Sequence, residues 1–378
     1  DPMAMMRALE KHCVMKGVGK PQCCLGGDVV ELGEAWHKEG IHTAFSAATH
    51  VKSNIDKLAT MCGKTQFAGH KTPISDTCHP ELDDSPLLGP DDISKCKSLL
   101  GSGNWLTTLR RFDTQRAVST MAQHSMAPRS GHVDELQRVF GYLQKHPNGM
   151  IAIDIADPPI RKETVCTTGQ QWIEFHPDAE EDIPPDMLEP AGMEARLTVF
   201  VDADHARNQA TRRSVTGIMM SSNNTPLVWI SKRQKTVETS THGSELVAAR
   251  IAIDLVIEMR CKLRLLGVRL EDQTVMLGDN MSVVLNTTIP SSNLKKKHLA
   301  CSYHRIREAI AGKFVKFGHV RSEHNLADIN TKPLGTVAFH RLIDPHLFRN
   351  PVHLRDAKGE LPDVDDLLPP TSVIAGES

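Results

Sequence analysis

Four acidic residues in the C-terminal half of the chain stand where an acid needs a physical reason. Asp202 interrupts an apolar alternation in Phe200-Val201-Asp202-Ala203-Asp204, and Glu245 falls in Thr241-His242-Gly243-Ser244-Glu245-Leu246. Asp279 follows an apolar run through Gly278, and Asp328 sits in Asn325-Leu326-Ala327-Asp328-Ile329. A carboxylate on an apolar central strand is costly unless it is paired or bound to a metal. Phosphodiester hydrolysis needs a water made nucleophilic and a leaving oxygen stabilised, and two divalent ions about 4 Å apart do both. Hard Mg²⁺ takes oxygen ligands and keeps some waters, so a few Asp and Glu suffice. The four acids therefore predict a site for two Mg²⁺ ions, with Mn²⁺ able to replace them. Singly, each acid has an ordinary explanation: a Glu in a first helical turn pairs with the helix dipole, and an Asp after a strand is often a cap. Asp204 shares the face of Asp202 by alternation and reads as a helper or a solvated neighbour.

Acids so far apart in sequence converge only if strand ends and helix starts meet on one edge of a sheet. Leu197, Val199 and Val201 alternate with Thr198, Phe200 and Asp202, the period of a strand. Ser214–Ser221 and Pro226–Lys232, joined at Asn223-Asn224, complete an antiparallel meander. Thr239, Ser240 and Thr241 offer N-caps to a long helix over Gly243–Leu266, stopped at Gly267. A strand over Thr274–Leu277 runs into Asp279, followed by a helix and then a basic helix over Lys297–Ala311. Leu299, Tyr303, Ile306 and Ile310 share one face of it. Lys313–Val320 reads as a last strand, and His324–Asn330 as the start of a final helix. The order β-β-β-α-β-α-α-β-α is that of an α/β fold with a mixed five-stranded sheet and flanking helices.

The 378 residues allow two or three domains. Four segments are expected: 1–153, 154–195, 196–345 and 346–378. In the first, Ala4–Cys13 predicts a short amphipathic helix and Leu25-Gly26-Gly27-Asp28-Val29-Val30 a strand entered through a glycine turn. A Pro-rich loop follows, then helices near Ser98–Ser125 and from Ser130, the latter with Leu136, Val139, Phe140 and Leu143 on one face and ended by Pro147 and Gly149. The second segment, with Pro158-Pro159, Pro184-Pro185 and the acids Asp178–Asp182, predicts a linker of poor order or extended path. The last is an acidic, Pro-rich tail that frays.

A net charge of −2 announces no global basic field. It hides eight acids without Lys or Arg in residues 174–194, against eight Lys or Arg and one acid in residues 291–321. Nine cysteines without metal-ligand pairing, and no secretory signal, read as free thiols in a reducing compartment. No apolar run is long enough to span a membrane. The chain begins Asp1-Pro2 and reads as a piece of a longer product.

From residue 196 to 335 the sequence resembles the ribonuclease H domain of copia-type retrotransposon Pol polyproteins. The matching stretches are Val201-Asp202-Ala203-Asp204, Arg212-Arg213-Ser214-Val215-Thr216-Gly217 and Trp229-Ile230-Ser231-Lys232-Arg233-Gln234-Lys235-Thr236-Val237. Ser244-Glu245-Leu246-Val247-Ala248, Gly278-Asp279-Asn280 and Ala327-Asp328-Ile329-Asn330-Thr331-Lys332-Pro333-Leu334 continue it in order. The first segment is similar to the part of the same polyproteins that follows the polymerase motif: the end of the palm with the thumb and connection. It carries Leu25-Gly26-Gly27-Asp28, His79-Pro80-Glu81-Leu82-Asp83-Asp84-Ser85-Pro86, Gly103-Asn104-Trp105-Leu106, Arg111-Phe112-Asp113 and Val139-Phe140-Gly141-Tyr142-Leu143. The paired aspartates of the polymerase motif are absent. Asp83-Asp84, Asp91-Asp92 and Asp363-Val364-Asp365-Asp366 lack its context and read as solvated.

The resemblance implies a ribonuclease H-like fold whose four acidic positions fall on Asp202, Glu245, Asp279 and Asp328. It implies cleavage of the RNA strand of an RNA–DNA hybrid, next to an upstream polymerase segment, in a cytoplasmic particle or the nucleus, with no membrane and no secretion. His319 takes the place of a histidine that helps product leave, with His324 the alternative. Three residues depart from the pattern: His242, His324, and Asn330 where Leu is expected. A near-A-form hybrid is read through phosphates and 2′-hydroxyls, which makes Lys295, Lys296, Lys297, Arg305, Arg307 and Lys313 the expected phosphate contacts. Arg212, Arg213, Lys232 and Arg233 are weaker candidates, and Trp105 and Phe112 could stack on a nucleotide but read rather as core residues. Two other functions compete: a catalytically inactive remnant that only binds nucleic acid, and DNA strand transfer on the same architecture. Glu245 and a fourth acid at Asp328 fit the ribonuclease better than strand transfer.

Overall fold

A glycine turn opens the described chain. Leu25 (φ 52°) and Gly26 (φ 83°) turn β1 (Cys23–Cys24) back onto β2 (Gly27–Glu31). The computed structural model describes residues 21–156, 172, 174–185, 187–270 and 273–348. The helix expected over Ala4–Cys13, Asp363–Asp366 and nearly all of the expected tail lie outside them. After β2 come α1 (Glu34–His37), β3 (Thr43–Ser46), α2 (Ala48–Met61), α3 (Pro90–Thr108), α4 (Gln115–Ala122), α5 (Ser130–Lys145) and β4 (Met150–Ala152). The strands form an antiparallel sheet in the order β1-β2-β3-β4. The single helix expected over Ser98–Ser125 is two, α3 and α4. Arg110 adopts φ 79° and ends the first. Arg111 then turns inward, its guanidinium 2.7 Å from the Asp113 carboxylate, which also accepts the Tyr142 hydroxyl at 2.7 Å.

The C-terminal part comprises β5 (Ala191–Ala195), β6 (Leu197–Asp204), β7 (Val215–Ser222), β8 (Thr225–Arg233), α6 (Thr241–Leu265), β9 (Val268–Leu270) and β10 (Thr274–Gly278). There follow α7 (Met281–Thr288), α8 (Ala300–Ala311), β11 (Val315–His319), α9 (Asp328–Thr331) and α10 (Thr336–Leu347). The main sheet runs β11-β10-β6-β7-β8. β6, β7 and β8 are antiparallel neighbours, while β10 pairs parallel with both β6 and β11.

Strand alternation sends side chains to two different cores. Val199, Val201 and Ala203 of β6 join Ile218 and Met220 of β7 and Leu246, Ala249, Ile253 and Val256 of α6 in one cluster. Met219 points the other way, into a cluster that includes Ile329, Phe339 and Ile343 of α9 and α10 together with Leu99, Leu106, Phe112 and Phe140 from the N-terminal helices. The second sheet face is thus covered jointly by the C-terminal helices and by the N-terminal helices.

Within 154–195, the described residues make several fixed contacts with the rest of the fold. Arg260 on α6 is buried and needs a counter-charge; Glu181 supplies it at 2.5 Å and pairs with Arg264 at 2.5 Å. Trp172 is buried in the α6-side core, its indole N–H on the Thr288 carbonyl at 2.6 Å. β5 pairs parallel with β9. Asp84, Asp91 and Asp92 are exposed, in line with solvated acids, and Asp83 is half-buried. Asp83 accepts the Ser85 backbone N–H at 2.9 Å, and Asp92, in the first turn of α3, pairs with Lys95 at 2.9 Å.

Candidate active site

The C-terminal ends of the parallel strands β6 and β10 lie side by side, with Gly278 registered against Val201. One residue further along each strand stand Asp202 and Asp279. Glu245 reaches the same point from the start of α6, which Ser240 caps by accepting the Gly243 backbone N–H at 3.3 Å. The Ala203 backbone N–H is near enough to the Glu245 carboxylate to favour its ionised form. One carboxylate oxygen from each of Asp202, Glu245 and Asp279 lies within 4.8 Å of the other two. Asp202 and Glu245 are buried and Asp279 half-buried.

Asp328 joins through a close helix–strand approach. Across from Asp202, the partner on β7 is Gly217. A Cβ there would come within 2.4 Å of Thr331 Cγ2 and 2.7 Å of the Ala327 carbonyl, so only glycine lets α9 lie on the sheet. Asn325 and Asn330 fix that contact. Their side-chain amides donate to the carbonyls of Val201 and Ile218 at 3.1 Å each. Asn330, a departure from the family pattern, is therefore a buried clasp, fully excluded from solvent.

Packed acids in a dry pocket resist ionisation. For Asp202, Glu245 and Asp328, burial is the largest cause. Asp202 is raised by burial and by Asp279, against the opposing pull of Lys332. Glu245 is pushed well above the usual carboxylate range by burial and by its neighbours Asp202 and Asp279. Asp328 is pushed up to about 7 by burial and by Asp202. Lys332 answers part of this charge. Its ammonium is 2.8 Å from Asp328 Oδ1 and 3.4 Å from Asp202, and both carboxylates hold its own pKa up against burial. The Thr331 hydroxyl donates to Asp202 Oδ2. Ser322 donates to Asp279 Oδ2 at 2.7 Å, and a His319 ring nitrogen lies 3.1 Å from the Asp279 backbone carbonyl. His319 thus stands beside the cluster, while the alternative, His324, lies 3.9 Å from Glu323.

The donor set suits a hard divalent cation: all oxygen, buried, and negatively charged in excess of one lysine. One ammonium, that of Lys332, already bridges two of the acids. Lys332, Thr331 and Ser322 were not singled out from sequence. The one available signal was the i,i+4 spacing of Asp328 and Lys332.

The expected phosphate contacts separate into two groups. Lys295 and Lys297 are exposed, and Lys296 donates to the Thr239 hydroxyl at 3.2 Å beside the start of α6. Arg307 faces inward instead. It donates to the Ile289 and Pro290 carbonyls at 2.9 and 2.6 Å, and stacks over Trp172 at 4.7 Å and Tyr303 at 4.8 Å. The carbonyls and rings use its donors and its flat face, so it holds the α7–α8 connection together. Arg305 pairs with Asp254 at 3.2 Å and Glu308 at 2.9 Å, and Lys313 with Glu180 at 3.4 Å. Phe112 is core, with its ring 5.5 Å from Trp229, whereas Trp105 is 43% exposed.

Sheet order, strand directions and helices on both faces define a ribonuclease H-like α/β domain carrying a carboxylate cluster. The chain's curated relatives are retrovirus-related Pol polyproteins of copia-type transposons. It is 26% identical over 250 residues to that of transposon RE1 from Arabidopsis thaliana, which is 66% of this chain and 14% of that protein. It is 29% identical over 327 residues to that of transposon TNT 1-94 from Nicotiana tabacum, 86% of this chain and 21% of that protein. The chain thus spans about a fifth or less of the length of these relatives. No protein-family profile matches it. Among solved structures it is similar to the N-terminal RNase H domain of rv2228c from Mycobacterium tuberculosis, at 14% identity and a TM-score of 0.29, covering 40% of this chain and 98% of that one. RNase H1 from Halobacterium salinarum matches at 14% identity and a TM-score of 0.27, covering 44% and 100%. Among the described residues, no helix is long and apolar enough to cross a membrane.

Proposed function

We propose that the chain is the ribonuclease H segment of a longer Pol polyprotein and cuts the RNA strand of RNA–DNA hybrids. One observation carries the reading: carboxylates from two parallel strand ends, a helix start and a clasped helical turn approach one another in a buried pocket. Asp202, Glu245 and Asp279 would hold one divalent ion, and Asp202 with Asp328 a second. Mg²⁺ bound there supplies Lewis-acid polarisation of a phosphate oxygen and a water acidic enough to attack at neutral pH.

The protein's own groups do the positioning. Thr331 orients the Asp202 carboxylate and Ser322 that of Asp279, and the Ala203 N–H favours the ionised form of Glu245. His319, beside the Asp279 carbonyl, would help product leave. Lys295, Lys296 and Lys297, next to the start of α6, are the phosphate handle that supports the choice of a polyanionic substrate. Residues 1–153 would be the palm end, thumb and connection of the polymerase, and an upstream polymerase segment the natural partner. The compartment would be that of reverse transcription, a cytoplasmic particle or the nucleus.

A second reading, hybrid binding without cleavage, is favoured by one observation: Lys332 already neutralises part of the Asp202–Asp328 charge. The test is the full chain on a hybrid labelled in its RNA strand. Mg²⁺-dependent shortening of the RNA, abolished by Asp202→Asn with hybrid binding retained, is the expected result. Hybrid binding with no cleavage by the unaltered chain would establish the second reading instead.

A further inference from the structure

We infer that the Lys332 ammonium is a tethered cation standing in one of the two cation positions of the carboxylate cluster. The free chain then takes up one divalent ion, at Asp202, Glu245 and Asp279, and admits a second only when Lys332 withdraws. The inference rests on the metal-binding reading above and adds an order of occupation to it.

The geometry divides the cluster in two. Asp202, Glu245 and Asp279 bring three oxygens together within 4.8 Å. Asp328 is not one of those three, and Lys332 sits between it and Asp202, 2.8 Å from Asp328 and 3.4 Å from Asp202. The ion pairs described for Lys332 are with these two acids, and none is with Glu245 or Asp279. A charge-assisted hydrogen bond of 2.8 Å puts the ammonium where a cation shared by Asp202 and Asp328 would go.

Lys332 is held there by its place in the chain. It immediately follows α9, which the Gly217 contact and the Asn330 clasp press onto the sheet. A cation delivered on such a short tether competes as though present at a high local concentration. The amine is not locked in. Its side chain is 34% exposed, and its long flexible stem can carry the head outward. An incoming phosphate would draw the ammonium away from the carboxylates, so substrate arrival and filling of the second position would be coupled.

Mn²⁺ titration of the full chain without nucleic acid, followed by electron paramagnetic resonance, tests this. Two Mn²⁺ ions bridged by Asp202 are exchange-coupled and give a multiline spectrum distinct from that of one isolated ion. The unaltered chain is expected to bind one isolated Mn²⁺. Lys332→Met is expected to bind two coupled ions over the same range of Mn²⁺ concentration. Lys332→Arg, which keeps the charge, is expected to stay at one. Removing a positive charge strengthens any cation binding, so the number of ions and their coupling are decisive, not affinity alone. If the unaltered chain takes up two coupled ions in a single step, the inference falls without recourse to any variant. It falls equally if Lys332→Met folds, by circular dichroism, and still binds one isolated ion; in either case metal binding stands. If the unaltered chain binds no Mn²⁺ and Asp202→Asn titrates identically, the metal reading fails and the inference with it.

Discussion

The indole N–H of Trp229, on the edge strand β8, donates to the main-chain carbonyl of Thr107 at the end of α3, 3.1 Å away and 122 residues upstream. Ser119 makes a parallel link to the Ser231 carbonyl at 2.7 Å, and Arg207 reaches the Cys78 carbonyl at 2.9 Å. With the shared apolar cluster beneath them, these bonds make the N-terminal helices part of the five-stranded sheet's own packing.

The two parts are therefore expected to melt together. Trp229→Ala removes a hydrogen bond and the contact with Phe112, at a cost of about 2–3 kcal/mol, somewhat below that of a fully buried Trp. Circular dichroism at 222 nm and near-ultraviolet signals from the other tryptophans should still report one shifted transition. A chain cut to residues 190–348 exposes the second sheet face and is expected to bind a hydrophobic dye that the full chain does not. Independent melting of the two parts, or a fragment as stable as the whole, would contradict this packing.

Period and punctuation make the scaffold of the site legible. The strands through Asp202 and Asp279 and the helix carrying Glu245 fall within a few residues of where alternation and caps put them. So does the convergence of those three acids, because strand ends and a helix start on one sheet edge leave few other arrangements. The sheet's second face was hidden, since hydrophobic periodicity shows that a face is buried and not by what. α2 carries Val51, Ile55, Leu58 and Ala59 at helical spacing and was legible, yet lay in a stretch that polar residues made look like loop. The inward turn of Arg307 and the position of Lys332 depend on carbonyls and carboxylates brought from elsewhere, and nothing local announces either.

Gly217 is where a single methyl group would separate Asp328 from the other acids. Gly217→Ala places a Cβ against Thr331 and the Ala327 carbonyl, and α9 has to lift. A loss of about 1–3 kcal/mol is expected from overpacking. Ion binding is expected to weaken more than Gly278→Ala would cause, where the added carbon meets the Phe317 ring at 3.3 Å. Calorimetric Mg²⁺ titration of the two variants decides it, and equal effects would remove Gly217 from this role.

Basic residues of one stretch are expected to behave in two ways. Lys295→Ala with Lys297→Ala removes two exposed charges, so hybrid affinity should fall and its logarithmic salt slope should shrink by roughly 1–2, with melting unchanged. Arg307→Ala strips the hydrogen bonds from three carbonyls and one hydroxyl, and is expected to lower stability by about 2–3 kcal/mol while leaving the salt slope alone. Fluorescence-anisotropy binding across a salt series, alongside thermal melts, separates them. A steep salt-slope change in Arg307→Ala would return it to the substrate surface.

Asp328 gives the metal-free chain a pH dependence of definite sign. Its carboxyl is held at about 7 in the folded chain by burial and by Asp202, with Lys332 opposing, against an ordinary value of 3.8. A folded pKa above the unfolded one means that the folded chain holds the proton more tightly. The stabilisation is full below about pH 4 and is lost as pH rises through about 7. Asn at this position cannot ionise. With chelator present, the melting temperature of Asp328→Asn is therefore expected to rise relative to that of the unaltered chain as pH is raised from 4 to 7.5. Histidines such as His124 and His146, whose pKa values burial lowers, act in both proteins and cancel in the difference. Mg²⁺ should reverse the trend in the unaltered chain, because ion binding needs the carboxylates ionised and so strengthens as pH rises. Parallel melting curves for the two proteins across that range would mean that Asp328 is not held in its neutral form by the cluster.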